Sequence, residues 1–294
     1  MSPGFWDTVL QAVVNGILIG GFYALVGMGL NCIFGVMNIV NFCQGELLMA
    51  GMYLTYFMYA YFEVDPYLAA PLVMAVMFAF GGVIQNYLIT PFLRRDDADI
   101  NVLFLTTGLG MLFQNTALIA FGADYRSIRT PYAQDVIHVM NLSISYPKLI
   151  SLITLLVVTA LLFLFFKFTR PGKMIRATAQ NQIGARLTGV NIKWIYIAIY
   201  GLGAALAGVA GSLLMPFYFV HPMVGATFNL RAFIVVVMGG LGNIRGAFIA
   251  GIVLGLMETL GALAAGPAFK DSIVFITFIL ILIARQRFIM RRTA

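Results

Sequence analysis

The 294-residue chain is 61% apolar and only 10% charged, with a formal net charge of +7. Soluble domains are nearer half apolar and a quarter charged, so this composition excludes an ordinary soluble protein and indicates a lipid environment. The positive charge lies beside apolar segments and not on a soluble domain, which excludes a nucleic-acid-binding module.

The first half of the chain predicts four membrane-spanning helices, since a span needs roughly 20 mostly apolar residues. The predicted spans cover residues 9–30, 46–62, 67–90 and 100–121. In the first of them, Gly16 and Gly20 form a small-xxx-small pair that favours close helix packing. The N-terminal segment lacks the basic stretch and cleavage site of a signal peptide, so we expect an uncleaved first span. Residues 31–45 are less regular.

The second half begins with the longest polar connection, residues 122–147, and continues with spans at 148–168 and 194–220. Glycines interrupt the apolar segment 229–260, which predicts two short helices around a turn or a re-entrant hairpin. A short last span, 271–284, precedes the basic tail 285–294. We therefore expect an all-α, polytopic transmembrane helical bundle with about 8–9 spans and broken helices, forming one domain over residues 1–294.

Charge predicts the orientation of this bundle. Six basic residues and no acid lie between Lys167 and Lys193, and the tail adds four arginines. Basic clusters beside spans face the cytoplasm, so we expect the loop 169–193 and the C-terminus inside and the N-terminus outside. A multi-pass membrane protein with this orientation follows.

The basic loop also predicts a docking element. Pro171 and Gly172 break the preceding helix, Asn181 is suited to an N-cap and Gly189 to a C-cap. Ile183 and Leu187, four residues apart, share a helix face. A short, basic, amphipathic helix of this kind can enter a partner's groove; the alternative is a loop that contacts lipid headgroups.

Two interruptions of the apolar pattern are candidates for a translocation pathway, because transporters bind substrates where broken helices line a cavity. The candidate residues are Asn38, Asn41, Gln44, Glu46, Gly239, Gly240, Gly242 and Asn243. For Glu46, a structural role at a helix start is equally open, and tight packing is the alternative for each glycine.

The remaining polar residues predict no catalytic or metal site. Arg231 and Glu258 are expected near the outer face, where they form either a structural ion pair or a pair that lines the pathway. Cys32 and Cys43 are interpreted as small apolar residues. Two histidines far apart give no metal-ligand spacing, which argues against a membrane-embedded enzyme.

Several long segments then resemble one family. RATAQNQIGARLTGVN, residues 176–191, resembles the coupling segment of branched-chain amino acid permeases of ABC importers, the LivH type. NFCQGELLMAGMY, residues 41–53, is similar to the family's N-F-A-H-G-E-x-x-M-x-G-A-Y, and residues 27–40 and 230–247 resemble further segments of the family in the same order. Cys43 and Gln44 replace the family's Ala and His, and Met52 replaces a small residue.

The resemblance implies partners and cofactors. It implies a second homologous permease (LivM-type), two ABC ATPase subunits and a periplasmic or extracellular solute-binding protein. The implied coupling residues are Ala177, Thr178, Ala179, Gln180, Asn181, Ile183, Gly184, Ala185, Arg186, Leu187 and Gly189. The sequence contains no G-x-x-x-x-G-K-[ST] motif, so ATP and Mg²⁺ are expected on the partner subunits and no cofactor on this chain.

The implied function is import of branched-chain or related neutral amino acids. Related permeases for urea or short amides are the alternative within the family. A secondary transporter or channel without an ATPase is the alternative of another class, and the scarcity of acids within the spans argues against it.

Overall fold

The computed structural model describes residues 5–94, 97–133, 135–139 and 142–293, which contain eleven α-helices. They are α1 (Phe5–Met37), α2 (Gln44–Phe62), α3 (Pro66–Val83), α4 (Ala98–Phe121), α5 (Tyr146–Phe168), α6 (Arg170–Gln180), α7 (Gln182–Leu187), α8 (Ile192–Leu214), α9 (Val224–Gly239), α10 (Ile244–Ala265) and α11 (Lys270–Thr293). A π-helical turn, Ile84–Ile89, continues α3, and 3-10 turns cover Phe92–Arg94 and Pro267–Phe269.

Six of the described helices are long and apolar enough to cross a membrane: α1, α3 with its π-helical turn, α4, α5, α8 and α10. The shorter α9 is also apolar. This architecture agrees with the predicted all-α membrane bundle, while the count of about 8–9 spans stays a prediction. The predicted connection 122–147 contains a small exception, an antiparallel hairpin of β1 (Val136–Val139) and β2 (Leu142–Ser145).

The bundle has two distinct ends. We call the end that carries α6 and α7 the basic end, and α1 finishes there, since the Gln182 side chain donates to the Val36 carbonyl at 3.0 Å. At the opposite end, the Tyr132 hydroxyl donates to the Asp65 carboxylate, and the Tyr59 hydroxyl donates to the Arg129 carbonyl at 2.7 Å. Burial and the bond to Asp65 raise the pKa of Tyr132 well above its usual range.

The core of the bundle is built around α1 and α8. In the most apolar stretches of these two helices 83% of the residues are buried, against 28% in α4 and α5. The predicted close packing of Gly16 and Gly20 is confirmed: they face Gly251 and Gly255 of α10 so closely that a Cβ on Gly255 would lie 2.4 Å from the Gly16 carbonyl. Two small-xxx-small pairs therefore hold α1 against α10.

Three helix boundaries differ from the prediction. The first helix extends to Met37, so Asn31 is helical and only residues 38–43 are irregular. Asn38 ends the helix with a φ of 57°, a conformation that asparagine tolerates. The helix α10 has 22 residues and is not short. The last helix continues through the predicted tail to Thr293, because arginine and methionine are good helix formers; residue 294 lies outside the described residues.

Candidate functional site

The glycine-rich interruption is a turn between α9 and α10 that is clasped by Asn31 of α1. Gly240 and Gly242 have φ angles of 92° and 80°. The Asn31 amide donates to the Gly240 carbonyl at 3.1 Å and to the Asn243 carbonyl at 2.8 Å, and it accepts from the Gly242 N–H at 2.6 Å. The buried side chain of Asn31 thus uses both of its N–H donors and its carbonyl oxygen to hold the turn.

The glycines of this turn also allow close approach of backbones. A Cβ on Gly239 would lie 2.4 Å from the Ala247 nitrogen, and one on Gly35 would lie 2.8 Å from the Gly242 Cα. Asn243 caps α10 by accepting from the Gly246 N–H at 3.1 Å. The structure therefore gives these residues packing and capping roles, and their part in a pathway stays a prediction. Sequence analysis did not identify Asn31. The feature that could have indicated its role is a single amide side chain within an apolar helix.

The second interruption, residues 38–43, leads back into the middle of the bundle. The Gln44 amide donates to the Gly203 carbonyl at 3.0 Å, and Gly203 is the twelfth of the 23 residues of α8. Asn41 donates to Gln44 at 3.2 Å and accepts from the Tyr200 hydroxyl at 3.2 Å. Helix α2 therefore begins near mid-depth, as the broken helices of transporters do.

The start of α2 meets the start of α9 at this depth. A Cβ on Gly45 would lie 1.9 Å from the Gly225 carbonyl, and one on Gly225 would lie 3.0 Å from the Glu46 Cα. Gly110 of α4, the thirteenth of 24 residues, lies across from Glu46, since its Cβ would lie 3.5 Å from Glu46 Oε2. Helices α2, α4 and α9 thus surround Glu46. The exposed Asn38 lies apart from them at the end of α1.

Glu46 is buried, with 6% of its surface exposed. Its Oε2 accepts no hydrogen bond from any part of the chain that the structure describes. It borders a cavity of about 260 Å³, the Glu46 cavity. The lining includes Phe42, Thr107, Met111, Gln114, Asn229 and Phe233. The start of α2 offers partial positive charge to the carboxylate, but one carboxylate oxygen remains available to a ligand.

Arg231 and Glu258 form an ion pair at 3.4 Å, within a larger charge cluster. Arg231 also contacts Asp271 at 2.8 Å, and Lys270 contacts Glu258 at 3.4 Å. The guanidinium lies 5.5 Å from the centre of the Tyr23 ring. Two cations and two acids thus join α9, α10 and the start of α11. These contacts fit a structural latch, and both the latch and the alternative of a pair that lines the pathway stay predictions. The cluster borders a cavity of about 420 Å³.

The predicted docking segment contains two helices instead of one. Asn181 caps α7 by accepting from the Gly184 N–H at 2.8 Å, and Gly189 has a φ of 87°. Ile183 and Leu187 are 74% and 83% exposed, so α7 presents an unpartnered apolar pair. The predicted coupling residues Ala177, Thr178, Ala179 and Gln180 instead belong to α6.

Two members of the predicted coupling set do not lie on the surface. Thr178 and Ala185 are buried in the chain itself, because α6 and α7 each turn one side onto the bundle. Their side chains therefore position the segment, while Ile183, Arg186 and Leu187 are exposed.

Comparison with known proteins identifies the family. Residues 12–282 match the family described as "Branched-chain amino acid transport system / permease component". The chain belongs to this family. It is 30% identical to the high-affinity branched-chain amino acid transport system permease protein LivH of Escherichia coli K12, over 96% of both chains. It is 29% identical to the corresponding permease BraD of Pseudomonas aeruginosa, again over 96% of both chains.

Two further relatives are also named as transport permeases. The chain is 28% identical to a probable branched-chain amino acid transport permease LivH of Methanocaldococcus jannaschii, over 87% of this chain and 82% of that protein. A ribose import permease of Escherichia coli, RbsC, is 31% identical over 38% of this chain and 37% of its own length. No solved structure matches. The chain is thus a multi-pass permease component of a transport system and not an enzyme.

Proposed function

We propose that this chain is the membrane-embedded permease subunit of an ATP-driven importer that carries branched-chain or related neutral amino acids into the cytoplasm. The observation that carries the proposal is the family match over residues 12–282. It is supported by a surface suited to an ATPase, by a charge distribution that orients the chain, and by a polar site at mid-depth.

The basic end faces the cytoplasm in this proposal. The cations between Lys167 and Lys193 are all exposed there, and such clusters stay inside. Because α1 ends at the basic end, the N-terminus lies outside. Helix α11 begins beside Glu258 at the opposite end, so its C-terminus lies on the cytoplasmic side. The proposed location of the protein is the cytoplasmic membrane of a bacterium or archaeon.

Helix α7 is the coupling helix of the proposed importer. Its exposed Ile183 and Leu187 form an apolar anchor, and the surrounding cations give it a basic rim. A short helix with apolar anchors fits a groove on a partner. The sequence has no P-loop motif, so two ATPase subunits hold ATP and Mg²⁺ and transmit their movement through α7.

A second, homologous LivM-type permease completes the pathway. The Glu46 cavity is not enclosed by this chain alone, and α4, which forms one wall, is mostly unburied. A neighbouring subunit against α4 would close the cavity. The solute-binding protein docks at the opposite end, where the hairpin and the Arg126–Val220 backbone pairing form the surface.

The decisive test is reconstitution in liposomes with the neighbouring ATPase subunits, the second permease and a leucine-loaded binding protein. We expect loaded binding protein to stimulate ATP hydrolysis and leucine uptake. Leu187→Asp should abolish both while the chain still inserts, since it places a charge in the apolar anchor. The matched control is Leu241→Asp, which makes the same change at an exposed leucine of the α9–α10 turn.

Four results would contradict the proposal. Full activity of Leu187→Asp removes α7 from coupling, and equal loss in Leu241→Asp shows that the effect is not specific to α7. Solute movement without any ATPase would support a secondary transporter or channel instead. Stimulation by a urea-loaded or amide-loaded binding protein, and not by a leucine-loaded one, would assign the other substrate class.

A further inference from the structure

The Glu46 cavity contains two oxygen acceptors besides the carboxylate of Glu46, one on Thr107 and one on Asn229. Thr107 donates its hydroxyl hydrogen to the Leu103 carbonyl at 2.8 Å, which leaves the hydroxyl oxygen free to accept. Asn229 donates its amide N–H to the Phe42 carbonyl at 2.5 Å, which leaves Oδ1 to accept. With Glu46 Oε2, the cavity therefore offers three oxygen acceptors from three helices.

The charge of Glu46 is not balanced within the described part of the chain. Lysines and arginines take part in the three ion pairs found there, and none of these includes Glu46. An ionised carboxylate that is buried without a partner costs several kcal/mol unless it takes up a proton or a counter-charge reaches it. A cationic ligand in the cavity would supply that counter-charge.

We infer that the Glu46 cavity binds the primary ammonium group of the transported solute, an inference that rests on the proposed function. A primary ammonium carries one positive charge and three N–H donors, which match the carboxylate and the three acceptors. The stacked rings of Phe42 and Phe233, with centroids 5.8 Å apart, provide an apolar wall for the aliphatic part of the solute and a π-face for its cation.

The cavity is a poor match for other ligands. A divalent metal ion prefers six or more oxygen ligands with several carboxylates, and the described residues contain no group of three acidic or other metal-ligating side chains. Urea and simple amides are neutral, so they would leave the carboxylate uncompensated. The site thus selects amino acids over urea by charge.

A binding experiment tests this selection. Saturation-transfer NMR would compare leucinamide with 4-methylpentanamide, which differs only by lacking the α-ammonium. The sample is the full-length chain in lipid nanodiscs with the subunits that co-purify. We expect leucinamide to bind wild type at least about tenfold more tightly and Glu46→Gln to lose the preference. Glu63→Gln, an exposed glutamate at the end of the same helix, should keep it.

A second pair of variants decides the matter if Glu46→Gln does not assemble. Gly110→Leu extends a side chain from α4 into the cavity without a forced clash, because its Cβ meets nothing closer than 3.5 Å. Gly108→Leu adds the same side chain two residues earlier, where no atom lies within 4 Å. We expect Gly110→Leu to lose leucinamide binding and Gly108→Leu to retain it.

The inference and the proposed function can fail separately. Equal binding of the two amides by wild type, unchanged preference in Glu46→Gln, or unchanged leucinamide binding in Gly110→Leu would overturn the ammonium site. These measurements need no ATPase activity and no binding protein. If the preference is present but the reconstituted wild type moves no leucine with ATP, the importer proposal fails and the site remains.

Discussion

The two interruptions of the apolar pattern look alike in sequence but differ in their hydrogen bonding. In the α9–α10 turn, Asn31 reaches three backbone groups and leaves no side-chain atom of its own unpaired. At the start of α2, Asn41 and Gln44 are likewise paired, but the neighbouring Glu46 keeps an oxygen without a partner. Both breaks place polar groups inside an apolar bundle.

This difference separates a structural clasp from a ligand site. Buried polar groups are normally paired, so a fully paired break needs no ligand to be stable. A buried carboxylate with a free oxygen is costly, and within a membrane such a residue is by default a functional candidate. The glycine-rich turn is therefore interpreted as a fixed joint, and the start of α2 as the place where a solute is recognised.

Replacement of Asn31, the side chain that holds the α9–α10 turn, should have the largest effect on stability. Asn31→Leu removes three hydrogen bonds. It leaves the Gly242 N–H without its partner, while the Gly240 and Asn243 carbonyls keep only their backbone bonds from the Asn243 and Ala247 N–H groups. Each lost partner costs about 1 kcal/mol or more, so we expect the free energy of unfolding to fall by roughly 4 kcal/mol. Denaturant unfolding in detergent would measure it. Asn115→Leu, whose exposed amide bonds only to its own helix at 2.7 Å, should change little, and equal losses would contradict the clasp.

The charge cluster around Arg231 and Glu258 should show the next largest effect on stability, because both of these buried charges have partners of opposite charge. Arg231→Met leaves Glu258 buried, with 2% of its side chain exposed and only Lys270 as a counter-charge. Loss of one partner of a buried pair costs about 3 kcal/mol. The double variant Arg231→Met/Glu258→Met should recover much of this in thermal unfolding, and a merely additive loss would show that the pair is not a latch.

The conformation of Asn38 should contribute less. Its φ of 57° costs most residues about 1 kcal/mol relative to glycine, and its side chain is exposed. We expect Asn38→Ala to lower the free energy of unfolding by about 1 kcal/mol and Asn38→Gly to leave it within a few tenths. If both variants behave alike, the left-handed conformation does not define the break.

Glu46 should have the smallest effect on stability, which sharpens the contrast with Asn31. Glu46→Gln removes an uncompensated buried charge and also a favourable contact with the helix dipole, worth up to about 1 kcal/mol. We expect the midpoint of thermal unfolding without ligand to remain unchanged or to rise slightly. A loss comparable to that of Asn31→Leu would show that Glu46 is part of the fold and not a recognition group.

Sequence by itself determined the features that depend on local chemistry. Composition required lipid as the solvent, and the family resemblance followed from long ordered motifs. Asn181 and Gly189 predicted the two ends of α7, because helix capping depends on a few neighbouring residues. The glycines predicted the break before α10 for the same reason, and Gly16 and Gly20 predicted close packing although their partner was unknown.

Only the tertiary structure decided which distant groups meet. The Asn243 carbonyl that binds Asn31 lies more than 200 residues away in the chain. The start of α2 is held at mid-depth by the bond from Gln44 to the Gly203 carbonyl. Asp271 and Lys270 reach the Arg231–Glu258 pair because α11 begins beside it. The unpaired oxygen of Glu46 is likewise a property of the packed helices, because whether a buried polar atom has a partner depends on every helix around it and on no local pattern.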